Sequence, residues 1–272
     1  MKTSLSSFLY FNYPLEEAIQ RTAKAGYDGI DIWGGRPHAY RRDLSRDETA
    51  GLRRLLADSN LEVASFIPAQ FRYPTCLCSK NDTIRLDSVE YIKDSIQTAS
   101  ELGAPLVSVC PGHSLYGQGA DDAWGRLGES LDAICEFAAE NEVLIALEPA
   151  DRYETDLMPT TTDALRMIRE LEHENLGVLL DNGHAYVVGE SSVDAVSSLR
   201  GSLFHVHIDD NDGARDQHLI PGEGNFDFAP FIAALRDAGY EGFLSAELGW
   251  DYTVDPDPAA HATAMNLRKM LA

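Results

Sequence analysis

Four apolar runs in the second half of the chain end on an ionisable residue. "LIALEPA" closes on Glu148, "GVLLDNGHA" on Asp181, "FHVHIDD" carries His207, and "FLSAEL" closes on Glu247. A single acid at a strand end is ordinarily a helix cap or a solvated loop residue. Four such ends in succession form a different pattern. Brought to one place, three carboxylates repel one another unless a cation stands among them. Three carboxylates and one imidazole make a hard, oxygen-rich donor set for one divalent ion. Manganese suits it best, with magnesium, cobalt and zinc as alternatives. His205 lies two residues before His207, so it points to the same strand face one layer deeper, where a hydrogen-bonded core histidine is expected.

Positioning these groups requires strands of known direction, and the chain alternates short β-rich runs with longer amphipathic ones. Strands are expected at Ser6–Phe11, Gly29–Trp33, Glu62–Pro68, Leu106–Pro111, Leu144–Glu148, Gly177–Asp181, Leu203–Ile208 and Phe243–Leu248. Between them helices are expected at Leu15–Ala25, Arg46–Ser59, Thr83–Leu102, Ala120–Glu140, Thr162–Leu171 and Phe228–Ala238. Asp47 and Thr162 stand where N-caps belong, and Gly26, Gly103 and Gly239 where helices should stop. "AGYDGIDI" and "AGYEGFLSAEL" are near copies of one helix–glycine–strand device, a sign of a repeated unit. About eight such units fit a (β/α)8 TIM barrel, typically about 250 residues, and no glycine-rich turn after the first strand favours a doubly wound sheet. No linker divides the 272 residues, so one α/β barrel domain over 1–272 is expected. Active sites of such barrels lie at the C-terminal ends of the strands, where the four ionisable groups stand.

Composition narrows the partners. The chain is 44% hydrophobic, enough for a large core, and carries 22 basic against 44 acidic residues, a formal charge of −22. Nucleic acid is disfavoured, because binding a phosphate backbone requires positive charge to displace counterions. The acidic excess could instead help concentrate a divalent cation. Cys76, Cys78, Cys110 and Cys135 do not have zinc-finger or redox-motif spacing and read as reduced thiols. The N-terminal stretch is too interrupted for a signal peptide and no apolar run reaches membrane-spanning length, so a cytoplasmic protein with no membrane contact is expected.

With these residues in view, the chain resembles the sugar isomerase/epimerase barrels related to xylose isomerase and the apurinic endonucleases. The resemblance is carried by "ALEP", "LLDNGHA", "FHVHIDDNDGARDQHLIPGEG" and "GYEGFLSAEL", and it covers nearly the whole chain. It implies that Glu148, Asp181, His207 and Glu247 bind one divalent metal. "EPADRYE" looks like the E-x-x-N-R-F-E segment of ketose 3-epimerases, with Asp151 and Tyr153 replacing the asparagine and phenylalanine. By that correspondence Glu154 touches a substrate hydroxyl or orients a neighbour. His184 matches a histidine that contacts the substrate oxygen beside the metal, and Arg215 an arginine that grips sugar hydroxyls. Trp33, ending the second strand, is placed to pack against sugar carbons, alongside Phe8, Phe66 and Trp250. Dimers and tetramers are common in the family.

The activity so implied is a metal-dependent epimerase or isomerase acting on a ketose or related keto-polyol through an enediolate, with Glu148 and Glu247 exchanging the proton beside the carbonyl. Three alternatives stay open, the last of them a non-enzymatic sugar-binding or partner-regulated barrel. A lyase, either an inosose dehydratase or a C-glycoside-cleaving subunit, would begin with the same proton removal. An apurinic endonuclease would use Asp181, His184, Asp216 and His218 as zinc ligands. That branch also needs histidines after the third and fourth strands, where this chain has Ile67 and Cys110, with His113 displaced. Asp216 and His218 are therefore expected to brace their loop.

Overall fold

The computed structural model describes residues 1–70 and 75–272. Parallel strands close a barrel in chain order: β1 (Lys2–Ser6), β2 (Gly29–Trp33), β3 (Glu62–Ile67), β4 (Leu106–Val109), β5 (Leu144–Leu147), β6 (Leu176–Asp181), β7 (Leu203–Ile208) and β8 (Phe243–Ala246), which pairs back onto β1. The fold is the expected (β/α)8 barrel. Around it run α1 (Leu15–Ala25), α2 (Arg46–Asp58), α3 (Asp82–Leu102), α4 (Ala120–Glu140), α5 (Thr161–Leu171), α6 (Asn182–Val188), α7 (Ser192–Ser198), α8 (Phe228–Asp237) and α9 (Pro256–Leu271).

Local chemistry accounts for most boundaries. Gly26 and Gly103 end α1 and α3 with φ of 88° and 84°, a region that costs glycine nothing. The N-caps of α2 and α5 are Ser45 and Thr160, two residues before the expected Asp47 and Thr162. Each forms a capping box, with Glu48 and Asp163 reaching back. The first strand was also misplaced: β1 is Lys2–Ser6, and the aromatic run after it turns into a 3-10 helix over Ser7–Tyr10. Aromatic residues favour strands in isolation, but the β1–β8 register runs from Lys2 to Leu5. α6, α7 and α9 add to the six helices bounded from the sequence.

Successive strand residues point to opposite faces. The outward set (Ile30, Ile32, Val107, Ile145, Val178, Val206 and Leu244 among them) joins the helices in one large apolar core. The inward set is different. A small apolar plug of Leu106, Ala146 and Leu179 lies low in the barrel, followed by buried Ser65, Ser108, Ser245, Asp31 and His205. Above these open the side chains at the strand ends. Among the described residues, no helix is long and apolar enough to cross a membrane.

Candidate active site

The β6–β7 register sets Asp181 beside His207, while Glu148 and Glu247 are the first residues past β5 and β8. Their donor atoms lie within 4.8 Å of one another. His207 Nδ1 is the hub, 3.0 Å from Glu247 Oε2, 3.3 Å from Glu148 Oε1 and 3.8 Å from Asp181 Oδ2. Asp181 divides its work. One oxygen caps α6 by accepting from the Gly183 and His184 amides at 2.6 and 3.0 Å, and Oδ2 is left buried without a hydrogen-bond partner. Both ring nitrogens of His207 are likewise buried, and the carboxylates close to them do not meet them with hydrogen-bond geometry. Buried polar atoms without partners are rare and costly. Burial would lower the His207 pKa, yet Glu247, Asp31 and Glu148 raise it well above the ordinary imidazole value. Such a negative field, with unsatisfied oxygen and nitrogen donors facing one point, fits a divalent cation.

Behind His207 stands a residue the sequence reading did not single out. Asp31, in the middle of β2, is fully buried; its Oδ2 is 3.6 Å from His207 Nε2 and accepts hydrogen bonds from His205 Nε2 at 2.6 Å and Ser65 Oγ at 2.5 Å. Burial would raise its carboxyl, but His205 and His207 hold it well below the carboxylate range. A carboxylate behind a ligating imidazole fixes its orientation and raises its basicity. The acid in "GIDIW" was the available signal, since an ionised side chain in the middle of a strand needs a partner. His205 is the core histidine that was expected.

The cluster opens into a cavity of about 600 Å3 lined by Glu148, Glu247, Glu154, His184, Asp216, His218 and Cys110 on its polar side. Phe8, Phe11, Trp33 and Trp250 form the opposite wall, packed edge to face with centroids 4.7–5.1 Å apart. Trp33 thus lines the cavity, whereas Phe66 lies in the core. Glu154 Oε2 is 3.9 Å from His184 Nε2, and burial raises its carboxyl to about 7. His184 Nδ1 is 3.2 Å from Asp216 Oδ2 and 3.2 Å from the Asp151 amide, from which it accepts only when that nitrogen carries no proton. Burial opposes its charge, but Asp216, Asp181 and Glu154 lift its pKa to about 10.

Arg215 is the site residue that the fold does not deliver. It is exposed and absent from the cavity lining; its backbone amide closes a turn on Asp212 Oδ1. The loop after β7 is wound around Asp210, whose carboxylate accepts from the Gly222, Gly224 and Phe226 amides at 2.9–3.0 Å. A Cβ on Gly224 would meet Asp210 Oδ1 at 2.3 Å, so only glycine fits there. This winding turns Asp216 and His218 into the cavity instead. His218 lies 2.7 Å from Asp209 Oδ2 and 3.1 Å from Asp216 Oδ2, yet His218 Nδ1 and these two oxygens make no hydrogen bond, and Asp181–Asp209–His218 and Asp151–His184–Asp216 are two more groups whose donor atoms lie within 4.8 Å of one another.

The endonuclease-type positions are equally plain. Ile67 and Cys110 line the cavity, while His113 turns away to the Ser114 carbonyl at 2.6 Å. A second cleft of about 440 Å3, at the other end of the barrel, has Arg200 and Glu241 as its only charged lining residues. It has no comparable chemistry.

Residues 19–270 match the family of xylose isomerase-like TIM barrels. The chain is 31% identical over 271 residues to the fructoselysine 3-epimerase of Shigella flexneri, covering 100% of this chain and 98% of that protein. It is 27% identical to the L-ribulose 3-epimerase of Mesorhizobium japonicum, over 86% of this chain and 75% of that one. Among solved structures, a D-tagatose 3-epimerase-like protein superposes with a TM-score of 0.82 at 25% identity, over 100% of both chains.

Proposed function

We propose a function from one premise: the chain belongs to the xylose isomerase-like TIM barrel family. On that premise it is a divalent-metal-dependent ketose epimerase that inverts a carbon next to the carbonyl through an enediolate. The observation that carries this reading is the convergence of Glu148, Asp181, His207 and Glu247 on one point at the floor of an aromatic-walled cavity. The relatives named as 3-epimerases support it.

Glu148, Asp181, His207 and Glu247 would hold the ion, with manganese preferred. When bound, the ion would supply Lewis acidity to the substrate carbonyl. Glu148 and Glu247 rise from different strands. One takes the proton from the carbon beside the carbonyl, and the other returns a proton to the opposite face. His184 stabilises negative charge on a substrate oxygen, and Glu154, protonated up to about pH 7, donates to a hydroxyl. The aromatic wall covers sugar carbons and keeps water from the reacting centre. Arg36, the single lysine or arginine among the described residues of the lining, is already held by Asp43 at 2.5 and 2.8 Å, which favours an unphosphorylated sugar. Ile67 and Cys110, which offer no imidazole, weigh against the endonuclease reading.

The test is proton–deuterium exchange in D2O, followed by NMR over a panel of ketoses, inososes and 3-keto sugars, with manganese-loaded protein and a Glu247→Gln control. Exchange beside a carbonyl with an inverted product, lost in the control, supports the epimerase. Exchange with elimination instead points to the lyase. No exchange, with several zinc ions bound and abasic DNA nicked, overturns the reading.

A further inference from the structure

Away from the strand-end acids, the β3–α3 loop holds two sulfurs side by side. Cys76 and Cys78 occupy the first and third positions of a β-turn closed by Ser79 N donating to the Cys76 carbonyl at 3.2 Å. Their Sγ atoms are 3.6 Å apart. The turn is clamped from three directions. Cys76 N donates to Ser88 Oγ at 2.8 Å, Ser130 Oγ to the Leu77 carbonyl at 2.8 Å, and Arg126 Nε to the Cys78 carbonyl at 3.0 Å. Both sulfurs pack against Gly112 in the loop after β4, where a Cβ would come within 3.5 Å of Cys78 Sγ and 3.9 Å of Cys76 Sγ. Cys78 is buried and Cys76 half-buried, so Cys76 is the more accessible residue of the pair.

We propose that Cys76 and Cys78 form a thiol–disulfide exchange site whose reactant is a small-molecule disulfide, with Cys76 as the attacking thiol and Cys78 as the resolving one. The Cys76 thiolate attacks one sulfur of the disulfide RSSR, forming a mixed disulfide and releasing RS−, which takes up the proton Cys76 has lost. Cys78 then loses its proton and attacks Cys76 Sγ, expelling the second RS−, which takes up that proton. The balance is two protein thiols plus RSSR giving one protein disulfide plus two RSH. Both cysteines are oxidised and the small disulfide is reduced. The sulfurs close from 3.6 Å to about 2.05 Å, a movement of side chains on a turn whose backbone is already fixed.

Two observations support the assignment of roles. The hydrogen bond from Cys78 outweighs burial and holds the Cys76 thiol at about 6, so it is largely thiolate at neutral pH, the form that attacks. Burial instead raises Cys135 to about 12, and among the described residues neither Cys110 nor Cys135 has a second sulfur beside it. The site is independent of the metal-binding reading.

The experiment equilibrates the full chain in mixtures of reduced and oxidised glutathione and reads intact and peptide masses. The wild-type protein is expected to lose two hydrogens, mapped to the peptide holding both cysteines, with Cys110 and Cys135 unchanged. Cys78→Ser should trap one glutathione on Cys76, and Cys76→Ser should neither lose mass nor gain an adduct. A wild-type chain that keeps four free thiols in oxidised glutathione alone overturns the proposal, as does a Cys78→Ser chain without adduct or a Cys76→Ser chain that reacts as fast as wild type. Reaction of the unaltered protein with a chromogenic disulfide guards against misfolded variants. One fast thiol of the four with an apparent pKa near that of Cys76 is expected, and four equally slow thiols overturn the proposal.

Discussion

Two groups of acids and histidines share the barrel mouth, and their charge balance separates them. The first sets three carboxylates, Glu148, Asp181 and Glu247, around one imidazole, His207. The second pairs two carboxylates, Asp209 and Asp216, with two imidazoles, His184 and His218, at 2.7–3.2 Å. Burial and the Asp216 charge push Asp209 well above the carboxylate range, and burial raises Asp181 of the first group as well. The first group therefore has more uncompensated carboxylates than the second, which is why the proposed cation is placed there. Residue type alone does not tell a metal site from a brace. The count of opposed charges at contact distance separates the two groups.

The sharpest way to break this contrast is to remove a base from the first group. Glu247→Gln should lower turnover by roughly 10³-fold while leaving the circular dichroism spectrum unchanged. A loss under about tenfold would deny Glu247 proton transfer. Next in size, Asp216→Asn should cost on the order of 3 kcal/mol in thermal unfolding, because it leaves His184 and His218 without their shared partner. Metal analysis of that variant should still give one manganese per chain; a lost ion would make the second group a metal site as well. Asp31→Asn acts from behind His207 and should weaken manganese binding by about 10–100-fold in calorimetry, with the cavity wall untouched.

Smaller effects test the margins. Burial holds Glu154 at about 7, against 4.5 for the free side chain. Its bound proton favours the folded state fully below about pH 4.5, and that contribution is lost as pH rises through about 7. The melting temperature of wild type relative to Glu154→Gln, measured in chelator, should therefore fall across that window. A flat difference would mean that the carboxyl is not held up. Arg215→Ala should change kcat/KM by no more than about twofold, as for a surface substitution. A large rise in KM would show that the loop after β7 rearranges to bring Arg215 inward.

Legibility followed the range of the interactions. β2 and β7 were bounded correctly from alternation, and α1 and α4 from their apolar faces, because those patterns repeat within a few residues. The four strand-end groups could be read for the same reason: each is an ionisable residue where an apolar run stops. β1 could not. Its own residues, "KTSLS", are small and polar because Ser4 and Ser6 are buried among other polar groups, and the aromatic run that looked like a strand forms the cavity wall.

By itself, then, the sequence determined the repeated strand–helix unit, the barrel it implies, and three acids and a histidine at consecutive strand ends, all consequences of local period and composition. Only the tertiary structure decided that Asp31 stands behind His207, since β2 and β7 meet only across the barrel interior. It also turned Asp216 and His218 inward and Arg215 outward, through a loop wound on Asp210 by amides up to 16 residues away. The paired sulfurs of Cys76 and Cys78 depend in the same way on clamps from α3 and α4. Contacts made across the barrel or by loop closure leave no periodic trace in the chain, and these are the contacts that finish the site.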